Sequence, residues 1–201
     1  MNQKMQSKAE RTKQFIIEKT ASIFNAKGYV GTSLNDIMDA TGLTKGSIYG
    51  NFENKDEVAL EVFDYNFQCV ISYYKERIKL RTSVIDKLMV YPETYRNFLN
   101  IPFLKNGCPI INTSIEADDT HPVLKAKAAN ALQFWRESLE RHLKTGIDSG
   151  ELKPDLNVSA LVTVFISIIQ GGVVQAKLTD DMIYLNTSMD FLEKMILECK
   201  A

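Results

Sequence analysis

The stretch TSLNDIMDATGLTKGSIYGNFENK, Thr32 to Lys55, decides how this chain is read, because two short helical patterns pivot there on Gly42. Thr32 or Ser33 can cap a first helix whose Leu34, Ile37, Met38 and Thr41 recur at helical spacing. Gly42 then ends it, since a left-handed backbone angle costs glycine least. Leu43 follows as a buried plug, Thr44 can cap a second short helix, and Ile48 sits where it would lock that helix against the first. The residues left outward, Thr44, Lys45, Gly46 and Ser47, are small or polar, so the backbone could press close to a DNA groove. Tyr49 and Asn51 offer a phenol and an amide to phosphates, and Lys55 adds positive charge where the next helix begins.

Helix-Gly-helix patterns are common, and a plain helical hairpin that touches no nucleic acid would share this one. The longer string TGLTKGSIYGNFENKDEV, Thr41 to Val58, resembles the helix-turn-helix signature of the TetR family of bacterial transcriptional regulators, Ala-Gly-Val-Ser-Lys-Gly-Thr-Leu-Tyr-x-x-Phe-x-x-Lys. The likeness extends back through a helix over Ala9 to Lys27, the GYVGTS turn and Asp36-Ile37. Met38 and Thr41 stand where the family usually carries alanine, and Gly50 where it carries a larger residue. The candidate DNA contacts are Thr32, Ser33, Thr44, Lys45, Gly46, Ser47, Tyr49, Asn51 and Lys55, with Phe52 assigned to the core.

The remainder reads all-helical, with almost no two-residue alternation and no repeat. Asn54 can cap a long helix reaching about Leu80, and further helices are expected over Ser83 to Phe98, Ile110 to Ala117, a start near Pro122 to about Ile147, Val158 to Leu178 and Asp181 to Cys199. Asp119 or Thr120 is the expected cap of the helix at Pro122, with His121 at its start. The expected organisation is a helix-turn-helix domain over residues 1–53 and a larger helical ligand-binding and dimerisation domain over 54–201.

With 201 residues, 45% hydrophobic and 24% charged, the chain can bury a substantial core. Its net charge of −1 is unevenly spread. Residues 1–55 hold eight Lys and Arg against five Asp and Glu, a net of +3, and the rest hold 16 against 20, a net of −4. So small an excess predicts DNA binding that depends on geometry and dimerisation and weakens steeply with salt. Cys69, Cys108 and Cys199 are few, odd in number and widely spaced, unlike a disulfide framework or a zinc site. MNQKMQSKAER lacks the apolar core of a signal peptide, and the apolar run Val158 to Val174 is broken by polar residues and two glycines, so a cytoplasmic protein with no membrane partner is expected. His121 and His142 are isolated, and no HxxxE, CxxC or glycine-rich phosphate loop occurs, so neither an enzyme nor a cofactor or metal site is expected.

Met182, Leu185, Met189, Leu192 and Ile196 are spaced three, four, three, four, and Val158, Leu161, Val162, Phe165 and Ile169 form a matching stripe beside Gly171-Gly172. Periodicity alone favours stripes that face their own core. The resemblance implies a dimer seam instead, because TetR proteins typically pair through a four-helix bundle of their last two helices; Gly172 is included in that seam. It also implies a ligand pocket in the helical C-terminal domain, occupied by a small-molecule inducer that weakens the grip on double-stranded DNA. GCPIINTSIEADDTHP, Gly107 to Pro122, resembles a Gly-Cys, Asn and Glu pattern of one branch of the family, with Asn112 and Glu116 one turn apart. Candidate pocket residues are Cys108, Asn112 and Glu116 with Tyr95, Phe98, Trp135 and Gln170, although aromatics at helical spacing more often belong to a core. Two alternatives stay open: an adaptor that binds no DNA, and release through modification of Cys108, whose thiol Lys177 would activate if folded close.

Overall fold

The computed structural model describes residues 7–201; the opening MNQKMQ, part of the segment on which the absence of a signal peptide was argued, lies outside the described residues. Among the described residues the chain forms nine α-helices and a single 3-10 turn, Phe98–Asn100. The helices are α1 (Lys8–Gly31), α2 (Leu34–Thr41), α3 (Lys45–Tyr49), α4 (Lys55–Lys79), α5 (Val84–Arg96), α6 (Pro109–Ala117), α7 (Pro122–Asp148), α8 (Val158–Thr179) and α9 (Ile183–Glu198). They fall into two compact units. One comprises the chain up to Cys69 together with Cys108–Ala128, the other Val70–Gly107 and Ala129–Ala201. The unit around the helix-turn-helix takes in residues 55–69 of α4, all of α6 and the first turns of α7.

Helix α1 starts at a capping box in which Ser7 Oγ accepts from the Glu10 amide and the Glu10 carboxylate accepts from the Ser7 amide. Its face of Ile16, Ile17, Ala21 and Phe24 meets Ile37 of α2, Ile48 of α3, Phe52, and Val58, Ala59 and Val62 of α4 in one buried cluster. The helical path breaks at Gly28 (φ 73°, ψ −178°), so the regular helix ends at Lys27 as its sequence implies. Thr41, in place of the family's alanine, is buried; its hydroxyl donates to Ile37 O at 2.7 Å and accepts from the Leu43 amide at 3.2 Å, so nothing polar is stranded.

In the second unit α8 and α9 pack side by side, and α5 lies on α9. Val162, Phe165, Ile169 and Gly172 of α8 and Leu185, Met189, Leu192 and Ile196 of α9 are all buried within the single chain. In the single chain the three-four spacing expected of a dimer seam marks the stripe that packs α8 and α9 into their own core, and of the seam candidates Val158, Leu161 and Met182 remain part-exposed. Gly172 permits the approach, because a Cβ there would stand 2.9 Å from Ser188 Cβ. Helix α8 has the length and composition to cross a membrane, and 33% of its apolar window is buried, along the stripe packed on α9. Arg96 of α5 reaches Asp190 at 2.6 Å and Glu193 at 3.0 Å. Tyr91 stacks on Tyr74 and on Trp135 at centroid distances of 4.6 and 6.2 Å. Burial drives the Tyr91 phenol well above its ordinary range.

Helix α7 is capped differently from expectation. His121 Nδ1 accepts from the Leu124 amide at 3.2 Å, the reach of an N-cap side chain, whereas the Thr120 hydroxyl turns back to Glu116 O.

Candidate nucleic-acid interface

Helix α2 opens at Ser33, whose hydroxyl accepts from the Asp36 amide at 3.1 Å while the Asp36 carboxylate accepts from the Ser33 amide at 2.8 Å. Lys27 Nζ lies 2.6 Å from the same carboxylate and, with the Ser33 bonds, holds Asp36 far below the usual carboxylate range. The helix closes at Gly42, left-handed at φ 68° and ψ 12°, whose amide donates to Met38 O at 2.8 Å. Thr44 Oγ1 then accepts from the Ser47 amide at 3.2 Å to start α3. Ile48 and Phe52 are buried to 0% and 2% exposure, which fixes the rotation of α3. Thr44, Lys45, Gly46, Tyr49 and Gly50 consequently face solvent, with Ser47 half-buried beside them. Lys45 Nζ stands 5.9 Å from the centroid of the Tyr49 ring, so cation and phenol share one end of this face. No side chain rises from Gly46 or Gly50, and the surface between them is low.

Several expected contacts have internal work. Thr32 is fully buried and its hydroxyl donates to Gly28 O at 2.6 Å, so the side chain closes α1 and is not presented to DNA. Lys55 Nζ donates to Tyr29 O at 2.8 Å and Thr32 O at 3.1 Å and lies 4.2 Å from the Tyr29 ring centroid. It straps the α1–α2 turn. Asn51 Nδ2 donates to Ser47 O at 2.9 Å, and the Ser33 hydroxyl donates to Asp36 at 2.7 Å. Thr44, Lys45, Gly46 and Tyr49 are thus exposed, whereas the Thr32 and Lys55 side chains are engaged at the α1–α2 turn.

The comparisons agree with this geometry. The family model "Bacterial regulatory proteins, tetR family" matches residues 16–62, and "Tetracyclin repressor-like, C-terminal domain" matches residues 84–192, more than half of the chain. A TetR-family transcriptional regulator from Cytophaga hutchinsonii is 39% identical, with a TM-score of 0.91 over 98% of this chain and 99% of that one. This chain belongs to the TetR family. A TetR regulator from Chloroflexus aurantiacus is 33% identical, with a TM-score of 0.90 over 96% and 98% of the two chains. The transcriptional repressor DhaR of Mycobacterium sp. (strain GP1) is 23% identical over 83% of this chain and 82% of its own length. As a TetR protein the chain is a DNA-binding transcriptional regulator.

The pocket candidates of this TetR chain divide between the two units. Tyr95, Phe98 and Trp135 are buried and Gln170 half-buried in the second, where Trp135 stacks on Tyr91. Cys108, Asn112 and Glu116 belong to the first. Cys108 is 2% exposed where α6 begins, and Lys177 in the other unit donates to Asn106 O at 2.7 Å. Asn112 Nδ2 donates to Asn25 O and Oδ1 at 2.9 and 3.0 Å. The Glu116 carboxylate accepts from the Tyr29 and Val30 amides at 2.7 and 2.8 Å. Both line a cavity of about 30 Å³ with Gly28, Phe63 and Leu124, which is room for about one water. Sequence reading passed over Tyr29 and Asp56, whose phenol–carboxylate bond pushes the Tyr29 pKa up to about 12. The only forewarning was the glycine that opens GYVGTS.

Proposed function

We propose that this protein is a ligand-responsive repressor that binds a near-palindromic operator as a homodimer and is released by a small-molecule inducer. The observation that carries the reading is the low, solvent-facing surface from Thr44 to Tyr49, oriented by buried Ile48 and Phe52, in a chain of the TetR family. Small residues on that surface let the backbone enter a major groove, while Lys45 and Tyr49 supply charge and a phenol for phosphates. Two such faces, related by a two-fold axis and spaced one helical turn or about 34 Å apart, require an operator of matching symmetry. Reading belongs to residues 1–53, and dimerisation and inducer binding to residues 54–201.

The dimer surface is built from the outward sides of α8 and α9. With the inward stripe already covered, the apolar residues available to a second copy include Val164, Val174, Leu178, Tyr184 and Phe191, exposed by 40 to 83%. The chain works in the cytoplasm, where its DNA lies, and catalyses no reaction. Gly107 and Cys108, just before α6, and Asn112 and Glu116 within it carry the branch pattern. A reversible ligand is favoured over thiol modification because Cys108 is 2% exposed.

The test is selection of genomic DNA fragments by the purified protein at moderate salt, beside a Lys45→Ala, Tyr49→Ala variant. Recovery of a near-palindromic site by the native protein alone supports the reading. Equal recovery by both, or enrichment of nothing, refutes it in favour of an adaptor.

A further inference from the structure

Helix α6 is an insertion by sequence and a member of the DNA-reading unit by contact. Residues 108–128 are grouped with the helix-turn-helix although the chain on either side, Val70–Gly107 and Ala129–Ala201, builds the other unit. The chain enters α6 through Gly107, left-handed at φ 100°, and leaves through the continuous helix α7. A change in the second unit therefore has two covalent leads onto α6.

What α6 holds is specific. The break at Gly28 frees the amides of Tyr29 and Val30 from the α1 ladder, and the Glu116 carboxylate takes both, at 2.7 and 2.8 Å, across 87 and 86 residues of chain. Asn112, one turn earlier, takes Asn25 O and Oδ1. The same turn is gripped from α4 by Lys55, at Tyr29 O and Thr32 O, and by Asp56, which accepts from the Tyr29 phenol. His121, the cap of α7, sets its ring edge-on to Tyr29 with centroids 4.8 Å apart. Gly28 is needed for this grip: a methyl group there would collide with the Glu116 carboxylate, and φ 73° disfavours any side chain. Two residues beyond Val30 stands Thr32, and then Ser33, the cap of α2. The orientation of the reading helices thus starts from a turn whose amides end on an α6 carboxylate.

We propose that Glu116 is a positioning residue for DNA reading: its carboxylate couples α6 to the α1–α2 turn, so that displacing α6 lowers operator affinity. The inference rests on the regulator reading above and moves Asn112 and Glu116 from inducer contacts to coupling contacts. A charged acceptor suits this role, since two amides on one carboxylate are held more strongly than on a neutral oxygen and are released together when it withdraws.

The experiment compares the native protein with Glu116→Gln, which keeps shape and removes charge, and with Glu116→Ala. Amide hydrogen exchange at Tyr29 and Val30 is read by NMR on free protein, and affinity is measured for the operator recovered by selection and for an unrelated duplex of equal length. The expected results are exchange about tenfold or more faster at those two amides in Glu116→Gln, and operator affinity lower by about 5- to 150-fold. Binding to the unrelated duplex, which reads phosphates alone, stays unchanged; a merely destabilised domain would lose both. Unchanged exchange overturns the clamp. Faster exchange with operator affinity intact overturns the coupling. If the native protein selects no operator at all, the regulator reading has failed and takes this inference with it, a result distinct from either.

Discussion

Lys55 is the position where a DNA contact and an internal strap give opposite results, and Lys55→Met separates them by keeping the aliphatic stem and deleting the ammonium. The ammonium donates to two backbone carbonyls, Tyr29 O at 2.8 Å and Thr32 O at 3.1 Å, and sits 4.2 Å from the Tyr29 ring centroid. Hydrogen bonds from charged groups contribute about 1.5 to 3 kcal/mol each when sheltered, and a cation over a ring about 0.5 to 1 kcal/mol at an exposed site. Lys55 is only half-buried, so water replaces part of each, and about 2 kcal/mol in total is the expected loss. For a chain of this length that lowers Tm by roughly 4 to 8 °C. The assay is thermal unfolding followed by circular dichroism without DNA, paired with the salt dependence of DNA binding. A strap predicts lower stability and an unchanged salt slope. A phosphate ligand predicts unchanged stability and a slope shallower by about 0.9 for each phosphate no longer neutralised. A Tm within about 1 °C of the native value, together with a shallower slope, would refute the strap.

Gly172→Ala should destabilise the second unit by about 1 to 3 kcal/mol through overpacking, and Ser188→Gly in the same chain should recover part of it in urea unfolding; the Ser188 Cβ is 2.9 Å from where the new methyl would stand. Tyr29 should resist alkaline titration, followed by its phenolate absorbance, until about pH 12. Its raised pKa stabilises the fold fully below the unfolded tyrosine value of about 10 and loses that contribution between about pH 10 and 12, so unfolding that is no easier at about pH 11.5 than at about pH 9 would contradict it. Phe191→Glu, on the outward side of α9, should shift a dimer towards monomer in sedimentation without lowering helix content; an unmoved sedimentation coefficient would relocate the interface.

What was legible in the sequence was local. Ser33, Thr44 and Asn54 announce caps because a short polar side chain reaches only its own next turn, and Gly42 announces a stop because few other residues accept φ 68°. Ile48 was assignable to the core from its place on the second short helix, and Phe52, also assigned there, joins it in the buried cluster. What was not legible depended on partners far along the chain. Lys55 reads as a surface cation until Tyr29 O and Thr32 O are seen beneath it, and Glu116 reads as a pocket acid until its two amides, nearly ninety residues upstream, are found. The α9 stripe from Leu185 to Ile196 has the period of a packed face, but period says nothing about whether the chain's own α8 or a second copy covers it. His121 displaced Asp119 and Thr120 as cap because a ring nitrogen happens to meet the Leu124 amide, a geometry that residue type alone does not encode.

The membership of α6 in the first unit bears on how such regulators are recombined. A hybrid joined at residue 53 would graft a reader stripped of Val58, Ala59 and Val62, with the Tyr29 and Val30 amides facing a stranger's side chains. A working transplant would have to carry two separate segments, the chain up to Cys69 and Cys108–Ala128, into the host scaffold. Linear exchange of N-terminal pieces between relatives is therefore expected to succeed only where the recipient supplies an acid at the Glu116 position to meet the Gly28 turn that the piece brings with it. The two form one contact despite the distance between their codons.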